Sequence, residues 1–151
     1  MIDLLIIGGG INGVGIANDA AGRGLSVMLC EQNDLASATS SASSKLIHGG
    51  LRYLEHLEFR LVRESLQERG TLLHMAPHIV SPLQFYMPHN STHRPAWMIR
   101  LGLWLYDYLA GKNQLARSKT VKFANHIASI PLKNFLKTGF SYYDCQVDDA
   151  R

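Results

Sequence analysis

The sequence predicts an α/β fold organised around one strand–helix–strand unit at its start. Three observations predict it. A short apolar run, Leu4-Leu5-Ile6-Ile7, leads directly into Gly8-Gly9-Gly10. Residues 11–23 are small or helix-compatible and stop at Gly24. A second run, Ser26 to Cys30, follows and ends on Glu31. Four apolar residues without alternation read as a parallel strand buried on both faces. The helix presents Val14, Ala17, Ala20 and Ala21 on one face. Gly24 sits where a left-handed glycine closes a helix.

Composition narrows the class. The chain has 151 residues, 46% hydrophobic and 18% charged, which is globular and neither disordered nor fibrous. Its net charge of +3 is too small to argue for nucleic acid, and none is expected. The charge is unevenly placed. Arg69 to Phe140 holds nine Lys or Arg and one acid, Asp107, whereas the first 68 residues hold eight acids and five bases. The resulting field suits a phosphate, an acidic partner or an anionic lipid surface. Cys30 and Cys145 form no CxxC pair, so a reducing compartment is the default. The apolar start is too short for a signal peptide, and no run reaches the roughly 20 apolar residues of a spanning helix. His74/His78 and His89/His93 are spaced i, i+4, but Pro77 and the turn Asn90-Ser91-Thr92 break helical geometry, so no metal is expected.

Gly8-x-Gly10-x-x-Gly13 closes the first strand and opens the helix. Gly8 permits a tight turn, Gly10 lets backbone approach a pyrophosphate, and Gly13 lets helix pack on strand. The helix N-terminus then offers free N–H groups and a partial positive charge. Asn12, inside the fingerprint, joins these as a candidate cofactor contact. Glu31, 21 residues beyond Gly10, stands where an acid accepts hydrogen bonds from an adenosine ribose. This is a Rossmann-like pattern. An acid at that place argues against a 2′-phosphate, but the fingerprint alone leaves FAD and NAD open.

Residues 36–44 are nearly all Ser, Ala and Thr, and Lys45-Leu46-Ile47-His48-Gly49-Gly50-Leu51-Arg52-Tyr53-Leu54 follows at once. Small hydroxyl side chains admit a ligand closely while offering donors, so an ordered binding loop is expected. A helix over 58–76, with Leu61, Val62, Leu66, Leu72, Leu73 and Ala76 on its apolar positions, ends at Pro77. A strand, Leu83 to Met87, lies between Pro82 and Pro88. A helix from Ala96 to Ala110, apolar nearly all round, closes at Gly111. Its reading is open between core packing and a docking face. Residues 112–130 read as a basic loop, Leu132 to Lys137 as a short helix, and Phe140 to Asp144 as a strand.

The chain resembles the FAD-dependent glycerol-3-phosphate dehydrogenases of the aerobic, membrane-associated type. The resemblance rests on Leu5-Ile6-Ile7-Gly8-Gly9-Gly10-Ile11-Asn12-Gly13, Asp19 to Val27, Thr39 to Glu55, Arg94-Pro95-Ala96-Trp97-Met98-Ile99-Arg100 and Val147-Asp148-Asp149-Ala150-Arg151. Ala38 departs from the Gly that many members carry before Thr-Ser-Ser. The resemblance implies FAD as cofactor and oxidation of sn-glycerol 3-phosphate to dihydroxyacetone phosphate. Electrons would pass to a quinone, and the protein would be cytoplasmic and peripheral on the cytoplasmic membrane; a homodimer is left open. It implies that Ser40, Ser41, Ser43, Ser44, Lys45 and His48 contact the flavin. It places His48 and Arg52 near the isoalloxazine, with Tyr53 able to hydrogen-bond the substrate. Family members are several times longer, so the chain reads as an incomplete N-terminal fragment. Residues 1–78 would be the FAD-binding unit and flavin loop, and 79–151 the start of a substrate domain. The alternatives are another FAD-dependent oxidase or dehydrogenase acting on an amine or hydroxy acid, or a flavin-binding module without catalysis.

Overall fold

The computed structural model describes residues 1–148 except 91, 93, 112–114, 125 and 133–135. It divides into two compact units, residues 1–45 with the segment from Val147, and residues 46–146. The helix over 59–75, which the sequence reading grouped with the cofactor unit, therefore packs in the second unit.

In the first unit, β1 (Leu4–Ile7) pairs in parallel with β2 (Val27–Cys30), in register from Leu4↔Val27 to Ile7↔Cys30. Helix α1 (Ile11–Gly22) connects them. Its end is a Schellman turn: Gly24 N–H donates to the Ala21 carbonyl at 2.9 Å and Leu25 N–H to the Ala20 carbonyl at 3.1 Å. Gly24 has φ +82°, the left-handed conformation that favours glycine there. The inward face of α1 differs from the expected one. Ala20 is buried and Gly13 and Ala17 are half-buried, but Val14 and Ala21 are exposed. The strands differ too. Ile6 is buried, but Leu5 and Ile7 are exposed, so β1 is covered on one face only. A parallel sheet is normally covered on both faces; here two strands and one helix make up the described unit.

The second unit joins helices to an antiparallel sheet. Strands β3 (Leu46–Ile47), β6 (Thr138–Val147) and β4 (Val80–His89) lie in that order, and β5 (Lys119–Lys122) also pairs with β6. Three expectations are corrected here. The strand predicted at 83–87 runs through both flanking prolines, which β4 tolerates because it lies at the end of the strand order. The basic segment contains β5, whose Thr120 and Val121 favour extended backbone opposite Phe140 and Gly139. Leu132, Leu136 and Lys137 are not helical; residues 133–135 lie outside the described residues, and the local turn is instead the 3-10 segment Ile127–Ser129. The strand expected at 140–144 extends to ten residues.

Helix α2 (Phe59–Met75) and helix α3 (Ala96–Leu109) form the core with Val62, Leu66 and Tyr106, packed by Leu51, Leu54, Leu109, Ala110 and Tyr142. Val62, Leu66 and Arg69 are spaced i, i+4, i+7 and share one helical face. Arg69 is thus buried on the apolar side, only 1% exposed, where its guanidinium pairs with the buried carboxylate of Asp144 on β6. Helix α3 does two things at once. Leu103 and Tyr106 are buried, while Trp97, Leu101, Trp104 and Tyr108 form an exposed stripe in which Trp104 and Tyr108 stack at 5.8 Å. No described helix is long and apolar enough to cross a membrane.

Removing one member of a buried ion pair strands the other charge. Arg69→Met or Asp144→Ala should each destabilise the second unit by about 3–5 kcal/mol. Replacing both, Arg69→Met with Asp144→Leu, should cost less than the sum of the two. Denaturant midpoints of the four proteins measure this.

Candidate functional site

The glycine turn is built as its spacing requires. Gly8 has φ +106° and no atom within 4 Å of where a Cβ would stand. Its N–H donates to the Cys30 carbonyl at 2.8 Å, locking the turn to β2. A Cβ on Gly13 would overlap the Gly8 carbonyl oxygen, so position 13 admits no side chain while the turn keeps this shape. Gly10 caps α1, and a Cβ there would meet only the Ser40 hydroxyl, at 3.2 Å. The first helical hydrogen bond runs from Val14 N–H to the Gly10 carbonyl, 3.0 Å. The amides of Asn12 and Gly13 therefore precede it and remain free to meet an anion. Sequence reasoning passed over Gly9, whose Cβ would meet Leu35 Cδ2 at 2.6 Å.

Glu31 reaches back onto this turn. Its Oε2 accepts the Gly9 N–H at 2.6 Å and its Oε1 the Asn33 N–H at 3.0 Å. The Gly9 hydrogen bond first, then that of Asn33, holds its carboxyl below the ordinary carboxylate value. The acid assigned to a ribose thus also fastens two loops, a role no spacing rule shows.

The Ser-rich loop is ordered. Ala36 is buried at φ +57°, and its N–H donates to the Gly9 carbonyl at 2.9 Å. Ser40 Oγ accepts the Ile11 N–H at 3.0 Å, so this hydroxyl sits at the N-terminus of α1. Ser41 Oγ donates to the Ala36 carbonyl at 2.5 Å, and Ser43 Oγ accepts the Lys45 N–H at 3.3 Å. Ser44 is exposed. Lys45 has φ +55°, and its carbonyl accepts the Val147 N–H at 2.9 Å.

His48, Arg52 and Tyr53 belong to the second unit. His48 is exposed, and its Nδ1 accepts the Gly50 N–H at 3.1 Å. Arg52 lies exposed on the 3-10 turn Leu51–His56. The nearby carboxylate of Glu55 is hydrogen-bonded by Arg94, which reaches both its oxygens, and Arg52 adds a weaker charge attraction to it. Tyr53 is half-exposed, with its ring against Gly50. Sequence reasoning singled out these three and missed what lies beneath them. Gly49 N–H donates to Tyr106 Oη at 2.8 Å and lies 3.3 Å from Asp144 Oδ1. A groove of about 800 Å³, lined by Arg63, Gln67, His74 and Tyr108 among others, contains none of the candidate residues. Among the described residues no three His, Cys, Asp or Glu side chains gather as a metal site.

A family model described as "DAO: FAD dependent oxidoreductase" matches residues 3–151. The chain belongs to the FAD-dependent oxidoreductases of this family. It is 66% identical to a glycerol-3-phosphate dehydrogenase of Pseudomonas tolaasii over 99% of this chain and 28% of that protein. It is 62% identical to the aerobic glycerol-3-phosphate dehydrogenase of Escherichia coli over 99% of this chain and 29% of that protein. A D-erythritol 1-phosphate dehydrogenase of Brucella abortus is 56% identical over 99% of this chain and 30% of that protein. The chain thus spans under a third of the length of these relatives. Among solved structures, the glycerol-3-phosphate dehydrogenase of Bacillus halodurans complexed with FAD superposes with a TM-score of 0.63 at 30% identity, covering 99% of this chain and 22% of that one.

In this FAD-dependent family member the glycine turn fits a pyrophosphate. No side chain fills the approach at Gly8, and two amides at the start of α1 face it. The two fingerprint glycines should respond differently. Gly10→Val should leave the fold and lose the flavin, whereas Gly13→Ala should disrupt the unit itself. Flavin content beside far-UV dichroism separates them. The Glu31 hydrogen bonds are strongest to the ionised form, so their contribution is full above the ordinary carboxylate value and fades as pH falls through the lowered one. Glu31→Gln should therefore destabilise the turn at about pH 7 and progressively less as the pH falls through the lowered Glu31 value, read by amide exchange of residues 8–13 and 31–35.

Proposed function

We propose that residues 1–151 belong to a quinone-linked, FAD-dependent dehydrogenase of the length of these relatives. It oxidises sn-glycerol 3-phosphate to dihydroxyacetone phosphate and works as a peripheral protein on the cytoplasmic membrane. The observation that carries this reading is the 62–66% identity to glycerol-3-phosphate dehydrogenases across nearly all of the chain. The bare apolar face of β1 and the exposed stripe on α3 agree with a chain that packs against more protein or a surface.

Gly8, Gly10, Asn12 and Gly13 would hold the FAD pyrophosphate, Glu31 a ribose, and Ser40, Ser41, Ser43, Ser44 and Lys45 the flavin's polar groups. Bound FAD supplies the hydride acceptor for a secondary alcohol. Arg52, exposed and near a Glu55 carboxylate whose hydrogen bonds go to Arg94, suits a substrate phosphate, which its planar fork would meet with two charge-assisted hydrogen bonds. Tyr53 offers a hydroxyl beside it, and His48 an imidazole fixed at one nitrogen. Loss of two electrons and two protons turns the secondary alcohol into a ketone; one proton leaves with both electrons as hydride and the other leaves from the hydroxyl.

A second reading is favoured by one observation, the 56% identity to a D-erythritol 1-phosphate dehydrogenase. The shared chemistry is a polyol phosphate. Anaerobic mixing of the full-length flavoprotein with each substrate decides between them: bleaching of the flavin by glycerol 3-phosphate is expected, bleaching only by erythritol 1-phosphate supports the second reading, and bleaching by neither defeats both. Arg52→Lys should raise KM more than it lowers kcat if the guanidinium holds the substrate phosphate. For the membrane, Trp97→Ala with Trp104→Ala should release the full-length protein from anionic vesicles without lowering its Tm, since both indoles are exposed.

A further inference from the structure

We propose that the buried Arg69–Asp144–Tyr106 cluster is a positioning device for the His48 turn, one that fixes the imidazole as a hydrogen-bond donor through Nε2 rather than as a general base. The proposal deepens the functional reading above, since it rests on His48 facing the reaction.

The cluster converges on one backbone amide. Asp144 Oδ1 accepts from the Arg69 guanidinium, from Tyr106 Oη at 2.8 Å, and weakly from Gly49 N–H at 3.3 Å. Tyr106 Oη in turn accepts the Gly49 N–H at 2.8 Å. Gly49 is buried with no room for a side chain, since a Cβ would meet Tyr106 Oη at 2.5 Å and overlap Leu66 Cδ2. Arg69 also donates to the Tyr143 carbonyl at 3.1 Å, which ties α2 to β6. The amide after His48 is therefore held by two helices and a strand.

The next residue transmits that placement. Gly50 is left-handed at φ +71°, and its N–H points at His48 Nδ1, 3.1 Å away. A neutral imidazole carries one N–H, and Nδ1 here is the acceptor, so the proton resides on Nε2. A base needs a lone pair on the nitrogen that meets the substrate. With Nδ1 spent on the backbone, Nε2 can only donate. Such a donor suits oxygen or flavin atoms that gain negative charge as hydride moves. The hydroxyl proton then goes to another group.

The test uses the full-length flavoprotein. Gln at position 48 places an amide near Nε2 that can donate but cannot act as a base. His48→Gln should keep flavin reduction within about tenfold of wild type; a loss of ~10²–10⁴-fold with flavin retained would restore His48 as the base and overturn the donor assignment. Tyr106→Phe preserves packing and removes one hydroxyl. It should slow reduction per bound flavin by about tenfold and add nothing in a His48→Ala background, because the two act through one path. Amide exchange over residues 46–53 should accelerate in Tyr106→Phe while that of β1 and α1 does not. A lower Tm with unchanged exchange over 46–53 and unchanged reduction per flavin would mean a merely structural cluster. If wild type is not reduced by a polyol phosphate at all, the functional reading fails, and the exchange measurement still decides whether the cluster holds the turn.

Discussion

The second unit depends on a single carboxylate. Asp144 Oδ1 gathers a guanidinium, a phenol and a backbone amide around one oxygen, and each donor comes from a different element. An aspartate is only 3–4% accessible there, so its charge must be balanced locally, and Arg69 supplies the balance. Burial first, and then the Asp144 charge, raises the Tyr106 hydroxyl well above the ordinary tyrosine range. It therefore stays protonated and remains a donor to Asp144 while accepting from Gly49. Take away the carboxylate, and α2, α3, β6 and the turn at Gly49 lose their common partner.

How much of this is legible in the sequence depends on how local the constraint is. Gly8, Gly13 and Gly24 are legible because each answers a need within a few residues: a tight turn, a close approach, a helix stop. The order of strand, helix and strand follows from them. Arg69 is not legible. A helix reader assigns a charged residue to the wet face, and only Asp144, 75 positions later, makes burial at 69 affordable. Strand β5 hides for a related reason, since Lys119 and Lys122 dress a four-residue strand as loop and pairing with β6 overrides them. Glu31 was visible as an acid at the right distance, but its grip on Gly9 and Asn33 belongs to loop geometry that no spacing encodes.

On the proposed function the two units would carry different kinds of recognition. In the first, backbone does most of it: amides at the start of α1, glycines that stand aside, and hydroxyls of the Ser-rich loop that already engage the chain's own N–H and C=O groups. Such a surface reads the shape and charge of a phosphate and tolerates variation elsewhere. In the second, recognition would fall to the exposed side chains His48, Arg52 and Tyr53 at and beside a short turn, whose aim depends on what packs beneath. A fold of this type serves many chemistries, so on the proposed function substrate choice would be written in the second unit rather than in the glycine fingerprint.

Strand β4 adds a consequence for assembly. Pro82 and Pro88 are six residues apart, so on a regular strand their missing N–H groups fall along the same side. A partner strand on that side meets carbonyls with gaps where donors would be. The ladder on that side is interrupted at both positions, whichever strand lies along it. Pro82 and Pro88 thus limit how many backbone hydrogen bonds β4 can share along one of its two sides, and leave its other side to carry the pairing.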